Sequence, residues 1–355
     1  MIISILAVIF TFGIIIFIHE FGHFIACRFI GVFVEEFSFG FGKPIFKKNI
    51  NQTLYAIRLI PLGGYVKPKG EDINEYKGDI DEYFSKKWYE RAMIVLAGPF
   101  MNYFLSFIIF LGVIFFVGRP VPSNSTVIGD IALNYPANTA GLKEGDKIIS
   151  INSNKVSNWK EMTKYIYPNI EKEITIEYER DGRIASVKLK TEKDPAMGRG
   201  VIGIAPKTTY EKIGIIKSVE YSLYQLWYWT DVTLKTLFTS IIKLEKPDVA
   251  GPIGIVSIVS KAAHSNFADF MFLVGLISIA VGFFNLLPLP LLDGGHFVLY
   301  LFEWIFKRKI TPTIMKYVQN TGIAILLSIL VFATYNDIMR IYNSHKDKQI
   351  ERVEK

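Results

Sequence analysis

Hydrophobic and polar positions fall into long blocks along this chain. Four runs carry no charged side chain: residues 1–18, 92–118, 270–292 and 317–336. At about 1.5 Å per helical residue, runs of this length with their flanks cross the roughly 30 Å of a bilayer's hydrocarbon core. They predict four transmembrane helices, bounded at 1–27, 92–118, 270–296 and 317–341. Between the first two the period drops to two. Val32-Phe33-Val34, Phe37-Ser38-Phe39 and Thr53-Leu54-Tyr55-Ala56-Ile57 alternate, with Gly40, Gly42, Gly63 and Gly64 at bends. That pattern predicts hairpin strands within 28–91, with Asn49-Ile50-Asn51 at a tip. The segment from Leu59 to Val66 is apolar, so the hairpin can dip into lipid only with its backbone paired and shielded by protein.

Residues 123–206 change character, with mixed charge, short strands and turn residues. They predict a compact α+β domain of about 80 residues, near the lower limit for folding alone. Within 207–269, Tyr221, Tyr224, Trp227, Tyr228 and Trp229 mix with Lys217, Glu220, Asp231 and Lys235. This reads as an amphipathic helix lying at the membrane interface, followed by a linker. A helix and loop over 297–316 and a polar tail over 342–355 complete the chain. Lys and Arg crowd 28–91, and Lys307-Arg308-Lys309 follows the third run. The positive-inside rule puts both connections in the cytoplasm and the 123–206 domain outside.

Composition agrees with membrane residence: half of the residues are hydrophobic and 28 are Phe. The net charge of +7 is spread without a long basic run, which reads as membrane-surface and topology charge and excludes nucleic acid as a partner. Cys27 is the only cysteine, so an intrachain disulfide and a four-thiolate metal site are both excluded. The first run lacks a basic start and an A-x-A site, and cleavage after it would discard the motif described next; no removable signal peptide is expected.

At the deep end of the first run lies His19-Glu20-Phe21-Gly22-His23. On a helix His19 and His23 face the same side one turn apart, so two ring nitrogens can grip one zinc ion, with Glu20 beside them as a base. Two His and a Glu in a membrane helix are costly to bury, and a bound cation offsets that cost. A catalytic zinc needs a third protein ligand. The third run offers Asn285-Leu286-Leu287-Pro288-Leu289-Pro290-Leu291-Leu292-Asp293-Gly294-Gly295-His296. Pro288 and Pro290 break the helix, which is tolerable beside a protein-lined cavity. Asp293 is the only acid there; with two imidazoles and a hydroxide it would leave Zn²⁺ with no net charge. Two alternatives stay open: Asp293 as a helix N-cap, and His296 as the third ligand. His264 and His345 lie in polar surroundings and read as solvated.

These motifs, with Gly98-Pro99-Phe100-Met101-Asn102 and Gly251-Pro252-Ile253-Gly254-Ile255, resemble the site-2 protease family of intramembrane zinc metalloproteases, of the bacterial regulator-of-sigma-E protease type. The resemblance covers nearly the whole chain. It implies a polytopic α-helical membrane protein with four transmembrane helices, a cytoplasmic membrane-associated β-hairpin region and one extracytoplasmic PDZ-like α+β domain. It implies Zn²⁺ held by His19, His23 and Asp293, with Glu20 as general base. The substrate, a single-span membrane protein already trimmed by another protease, would lie unwound as a strand against the hairpin. Asn285, Asn102, Pro288 and Pro290 would form the substrate-binding set. The implied location is the bacterial inner membrane, with the active site toward the cytoplasmic side and the PDZ-like domain acting as a size filter. One departure is visible: well-studied relatives of this type carry two PDZ domains in tandem, and this chain has room for one. The competing classes are a membrane metal transporter or sensor, which needs further ligands along a path, and a catalytically silent PDZ scaffold.

Overall fold

The first charge-free run forms one continuous helix, α1 (Ile2–Ile30), and ends where glycine permits a left-handed turn. Gly31 has φ +79°, Val32 N–H donates to Cys27 O at 2.8 Å, and Gly31 N–H donates to Arg28 O at 3.3 Å. This pair of bonds satisfies carbonyls that the helix end leaves free. The structure is a computed structural model of the 355-residue chain and describes residues 2–72, 75–132, 135–194, 197–243 and 251–308, with scattered residues between 314 and 339. The chain divides into two compact units, Met1–Val113 with Ile215–Lys355, and Ile114–Gly214.

In the first unit, β1 (Val34–Ile50) and β2 (Thr53–Pro68) follow α1. The turn between them is Asn51-Gln52, both at positive φ, as a two-residue hairpin requires; the tip is one residue later than the sequence implies. Both strands bend back, so the ladder is more than a hairpin. Phe37, Ser38 and Phe39 pair with Val66, Tyr65 and Gly64 running against them, and also with Tyr55, Ala56 and Ile57 running in step. Arg58 fastens the layers, its Nε donating to Ser38 Oγ at 2.6 Å and its Nη2 to Tyr65 OH at 2.9 Å. The next helix, α2 (Trp88–Phe116), contains Pro99, which has no N–H for the carbonyl one turn back.

The second unit begins with β3 (Arg119–Pro122), β4 (Ile128–Ile131), the single-turn α3 (Pro136–Thr139), β5 (Lys147–Ile151), β6 (Asn154–Lys155) and α4 (Trp159–Ile166). It continues with β7 (Glu173–Arg180), β8 (Arg183–Lys190), β9 (Glu192–Lys193), β10 (Gly200–Val201), β11 (Ile204–Pro206) and β12 (Thr208–Glu211). Four strands form an antiparallel sheet in the order β6-β5-β7-β8; β11 pairs with β4 and β12 with β3. Alternation decides the faces. Ile174 and Ile176 of β7 point inward with Ile148 and Ile151 of β5, and Met162 and Ile166 of α4 cover them. Asn158 caps α4 by accepting from Glu161 N–H at 2.9 Å.

The first unit resumes with α5 (Ile215–Lys243), α6 (Pro252–Ala263), α7 (Phe267–Asn285) and α8 (Asp293–Phe306). The sequence pattern predicts one interfacial helix and a linker over 207–269; the structure adds α6, opened by Pro252 at its first position, where a missing N–H costs nothing. It lies on α1, with Ser260 Oγ donating to Ser4 Oγ at 2.8 Å. The third charge-free run is α7 only as far as Asn285; an irregular segment then leads into α8.

Burial in the helices is inverted relative to a water-soluble protein. Thr11, Asn102, Ser106, Ser218, Ser222 and Ser278 are buried, while Ile2, Leu6, Phe100, Phe116, Ile216 and Trp227 are exposed. Apolar surroundings account for that pattern. Among the described residues α1, α2 and α7 are long and apolar enough to cross a membrane. The fourth span expected at 317–341 lies on a stretch of which only scattered residues are described, and the tail 342–355 lies outside the described residues.

Candidate metal centre

Each of the three acid and imidazole groups singled out in the sequence comes from a helix, and α2 is the surface on which they meet. His19 and His23 sit one turn apart on α1. His23 Nδ1–H donates to Ile94 O of α2 at 2.8 Å, which leaves its Nε2 as a lone pair. The Asn102 side-chain amide of α2 lies 3.1 Å from His19 Nδ1. The two Nε2 atoms face each other at 3.2 Å. Asp293, at the start of α8, places Oδ2 3.2 Å from His19 Nε2 and Oδ1 3.6 Å from His23 Nε2.

This crowding is local and requires glycine. A Cβ on Gly98 of α2 would lie 2.3 Å from His23 Nε2 and 2.8 Å from His19 Cε1, so only glycine leaves room for both rings. Asp293 is delivered by the segment between α7 and α8. Leu291 there adopts φ +74°, a strained value for a branched residue. Backbone carbonyls of Leu286 and Leu289 press within 2.2 Å and 2.1 Å of where Cβ atoms on Gly294 and Gly295 would be, fixing how α8 begins. The N-cap reading of Asp293 is overturned: Leu292 holds that position, and the Asp293 side chain turns to the histidines.

One ligand atom from each of His19, His23 and Asp293 falls within 4.8 Å of the other two, and among the described residues this is the one such cluster. His296 is outside it, with its side chain half-buried on α8. The residues fit a cation. Asp293 Oδ2 is buried with no hydrogen-bond partner, and two imidazole lone pairs turned toward each other repel unless a positive charge lies beside them. Glu20 flanks the cluster, where the Val66 backbone amide bonds to it. The β2 strand passes close by, since a Cβ on Gly64 would be 3.2 Å from Glu20 Cγ.

The other expected site residues are less tightly grouped. Asn102 is fully buried and turned to His19. Asn285 is half-buried at the end of α7; Pro288 is exposed and Pro290 half-buried in the segment that follows. Sequence reasoning did not single out Gly98 as a seat for the rings, although the Gly98-Pro99 pair in an apolar run was its signal.

The profile described as Peptidase family M50 matches residues 7–329. The chain belongs to this family. A putative zinc metalloprotease of Campylobacter jejuni is 35% identical, over 96% of this chain and 94% of its own length. One of Clostridium acetobutylicum is 33% identical, over 95% and 97%. The regulator of sigma-W protease RasP of Bacillus subtilis is 28% identical, over 96% and 99%. This M50 peptidase is therefore an intramembrane zinc metalloprotease, and its helices are those of a membrane protein. Among solved structures, the PDZ domain of an SdrC-like protein from Listeria monocytogenes covers 24% of this chain and 88% of its own, at 22% identity and TM-score 0.22.

Proposed function

We propose that His19, His23 and Asp293 hold one zinc ion, and that Glu20 is the general base for hydrolysis of peptide bonds within or near the transmembrane segments of single-span membrane proteins. The observation that carries this reading is the Asp293 carboxylate, whose buried Oδ2 makes no hydrogen bond, set with its two oxygens against His19 Nε2 and His23 Nε2. Bound there, the ion supplies Lewis acidity, polarising the scissile carbonyl and acidifying the attacking water. The rest is chemistry of this chain. Glu20 takes a proton from the attacking water and delivers it to the leaving amine nitrogen. His23 is held in the ligating tautomer by its bond to Ile94 O. Asn102 does the same for His19 once its amide is turned over: the nitrogen now lies 3.1 Å from Nδ1 and Oδ1 has no partner, and exchanging the two lets Oδ1 accept from Nδ1–H, so that Nε2 keeps its lone pair.

A helical substrate satisfies its own backbone, so it must unwind before a peptide bond is reachable. The strand ending at Pro68, which runs beside Glu20, offers main-chain partners in place of the lost helical ones. On this account Asn285, Pro288 and Pro290, at the end of α7 and in the segment that delivers Asp293, bind the unwound substrate together with Asn102. In this reading the chain crosses the bacterial inner membrane four times, the active site lies toward the cytoplasmic side, and Ile114–Gly214 is a PDZ-like domain outside the cytoplasm. That domain admits substrates already trimmed by another protease. The name of the Bacillus subtilis relative, a regulator of sigma-W protease, supports anti-sigma factors as a substrate class.

The test is co-expression with a panel of tagged single-span proteins. Wild type is expected to cleave at least one in a chelator-sensitive manner. Glu20→Gln is expected to abolish cleavage, a loss of roughly 10²–10⁴-fold for a general base, while zinc content stays near one per chain. Undiminished cleavage by Glu20→Gln would overturn the assignment, and lost zinc would make Glu20 a ligand.

A further inference from the structure

The start of α8 carries Asp293; its far half carries an ionic and aromatic cluster that the proposed chemistry does not use. Arg91, on the first turn of α2, is 3% exposed, and its Nη2 donates to Glu303 Oε1 at 2.7 Å. The guanidinium lies over the Tyr300 ring, 4.6 Å from its centroid, and 5.5 Å from that of Phe84. Tyr300 is buried as well, and its hydroxyl is hydrogen-bonded to that of Tyr83 at 2.8 Å. Trp88 and Trp304 close the cluster with their ring centroids 5.3 Å apart.

A buried Arg–Glu pair is a poor source of stability, because desolvation offsets most of its attraction. What it fixes is orientation. Tyr300 and Trp304 follow Asp293 by close to two and three whole turns, so all three share one stripe of α8, with Glu303 at its flank. Turning α8 by one position, roughly 100°, would take Tyr300 off Tyr83 and Asp293 off the histidines together. The partner of the clamp is α2, the helix that already orients His23 through Ile94 O and His19 through Asn102. All three ligands are thus set against a single helix.

We infer that Arg91, with Glu303 and the Tyr83–Tyr300 pair, is a positioning device that sets the rotation of α8 and so presents Asp293 to His19 and His23. The inference rests on the metal-site reading above. Arg91 acts through α8 and touches no reacting atom.

The test uses the full-length chain in detergent, with zinc affinity read by chelator competition and ligand geometry read from the absorption spectrum of the cobalt-substituted protein. Arg91→Met combined with Glu303→Leu keeps the packing apolar. This variant is expected to stay monodisperse and helical, to bind zinc at least about 10-fold more weakly, and to shift the cobalt spectrum. The charge exchange Arg91→Glu with Glu303→Arg is expected to recover most of the affinity. If the apolar pair binds zinc like wild type with an unchanged cobalt spectrum, the inference is overturned. Should the apolar pair fail to fold, Tyr300→Phe, which removes a single hydroxyl, decides in its place: weaker zinc binding supports the clamp and unchanged affinity overturns it. A wild-type chain that binds no zinc would instead refute the underlying site.

Discussion

Two carboxylates, one in each unit, are treated in opposite ways. In Ile114–Gly214, Asp146 is 1% exposed, and both its oxygens are engaged. Arg180 donates to them through Nε and Nη2 at 2.6 Å each, and Lys143 N–H adds a bond at 2.8 Å. In the helical unit, Asp293 Oδ2 is buried with no hydrogen-bond partner, and so are Asn102 Oδ1, Arg91 Nε and Thr11 Oγ1. A carboxylate that serves structure is enclosed by donors, because an unmade bond in a buried place costs about 1–3 kcal/mol. Asp293 Oδ2 instead has a lone pair open for a cation, as the proposed ligand role requires. The same contrast holds for apolar groups: the aliphatic core of Ile148, Ile151, Ile174 and Ile176 is closed, whereas α1 and α2 leave large apolar side chains exposed for lipid.

The comparison breaks most readily at Gly98. Gly98→Ala puts a methyl group well inside van der Waals contact of His23 Nε2, and zinc affinity is expected to fall about 100-fold. Chelator competition measures it, and wild-type affinity would mean that the rings have room to spare. Asn102 sharpens it. Asn102→Leu is expected to weaken zinc binding about 10-fold, while Asn102→Asp, which keeps an acceptor for His19 Nδ1–H, stays close to wild type. Equal losses in both would contradict the orienting role.

The smallest effect belongs to the enclosed carboxylate. Burial alone would raise the Asp146 pKa, but the Arg180 bond and the Lys143 amide outweigh it, and the net direction is down. The folded unit therefore holds fewer protons than the unfolded chain. Its stabilisation is complete above the ordinary Asp value of about 3.9 and is lost as pH falls through the lowered folded value. Limited proteolysis within Ile114–Gly214 is expected to speed up below about pH 4, and Asp146→Asn to be more susceptible at neutral pH with a flatter acid response. An unchanged acid profile in the variant would show that other carboxylates govern it.

How much of this is legible in the sequence depends on the range over which each signal acts. The helix that bears His19 and His23 is readable because charge-free length and the four-residue spacing are local properties. Asp293 is readable as a candidate from its isolation among apolar residues, but its choice over His296 depends on how Leu291 and the carbonyls of Leu286 and Leu289 set α8. The alternation of residues 34–68 gives strands and a turn. It does not give the double pairing of Phe37, Ser38 and Phe39, since that depends on where each strand bends. The helix α6 is hidden because its apolar run is short and opens with glycine and proline. The roles of Gly98 and Arg91 are illegible for a shared reason: each acts on a helix far away in sequence, and nothing near them in the chain marks that partner.

Everything rests on one centre assembled from α1 and α8 against α2. The most direct measurement is the zinc stoichiometry of the purified full-length chain beside that of Asp293→Ala. One zinc per wild-type chain and a strongly depleted variant is the expected result. A wild type without transition metal, or a variant as full as the wild type, would contradict the account.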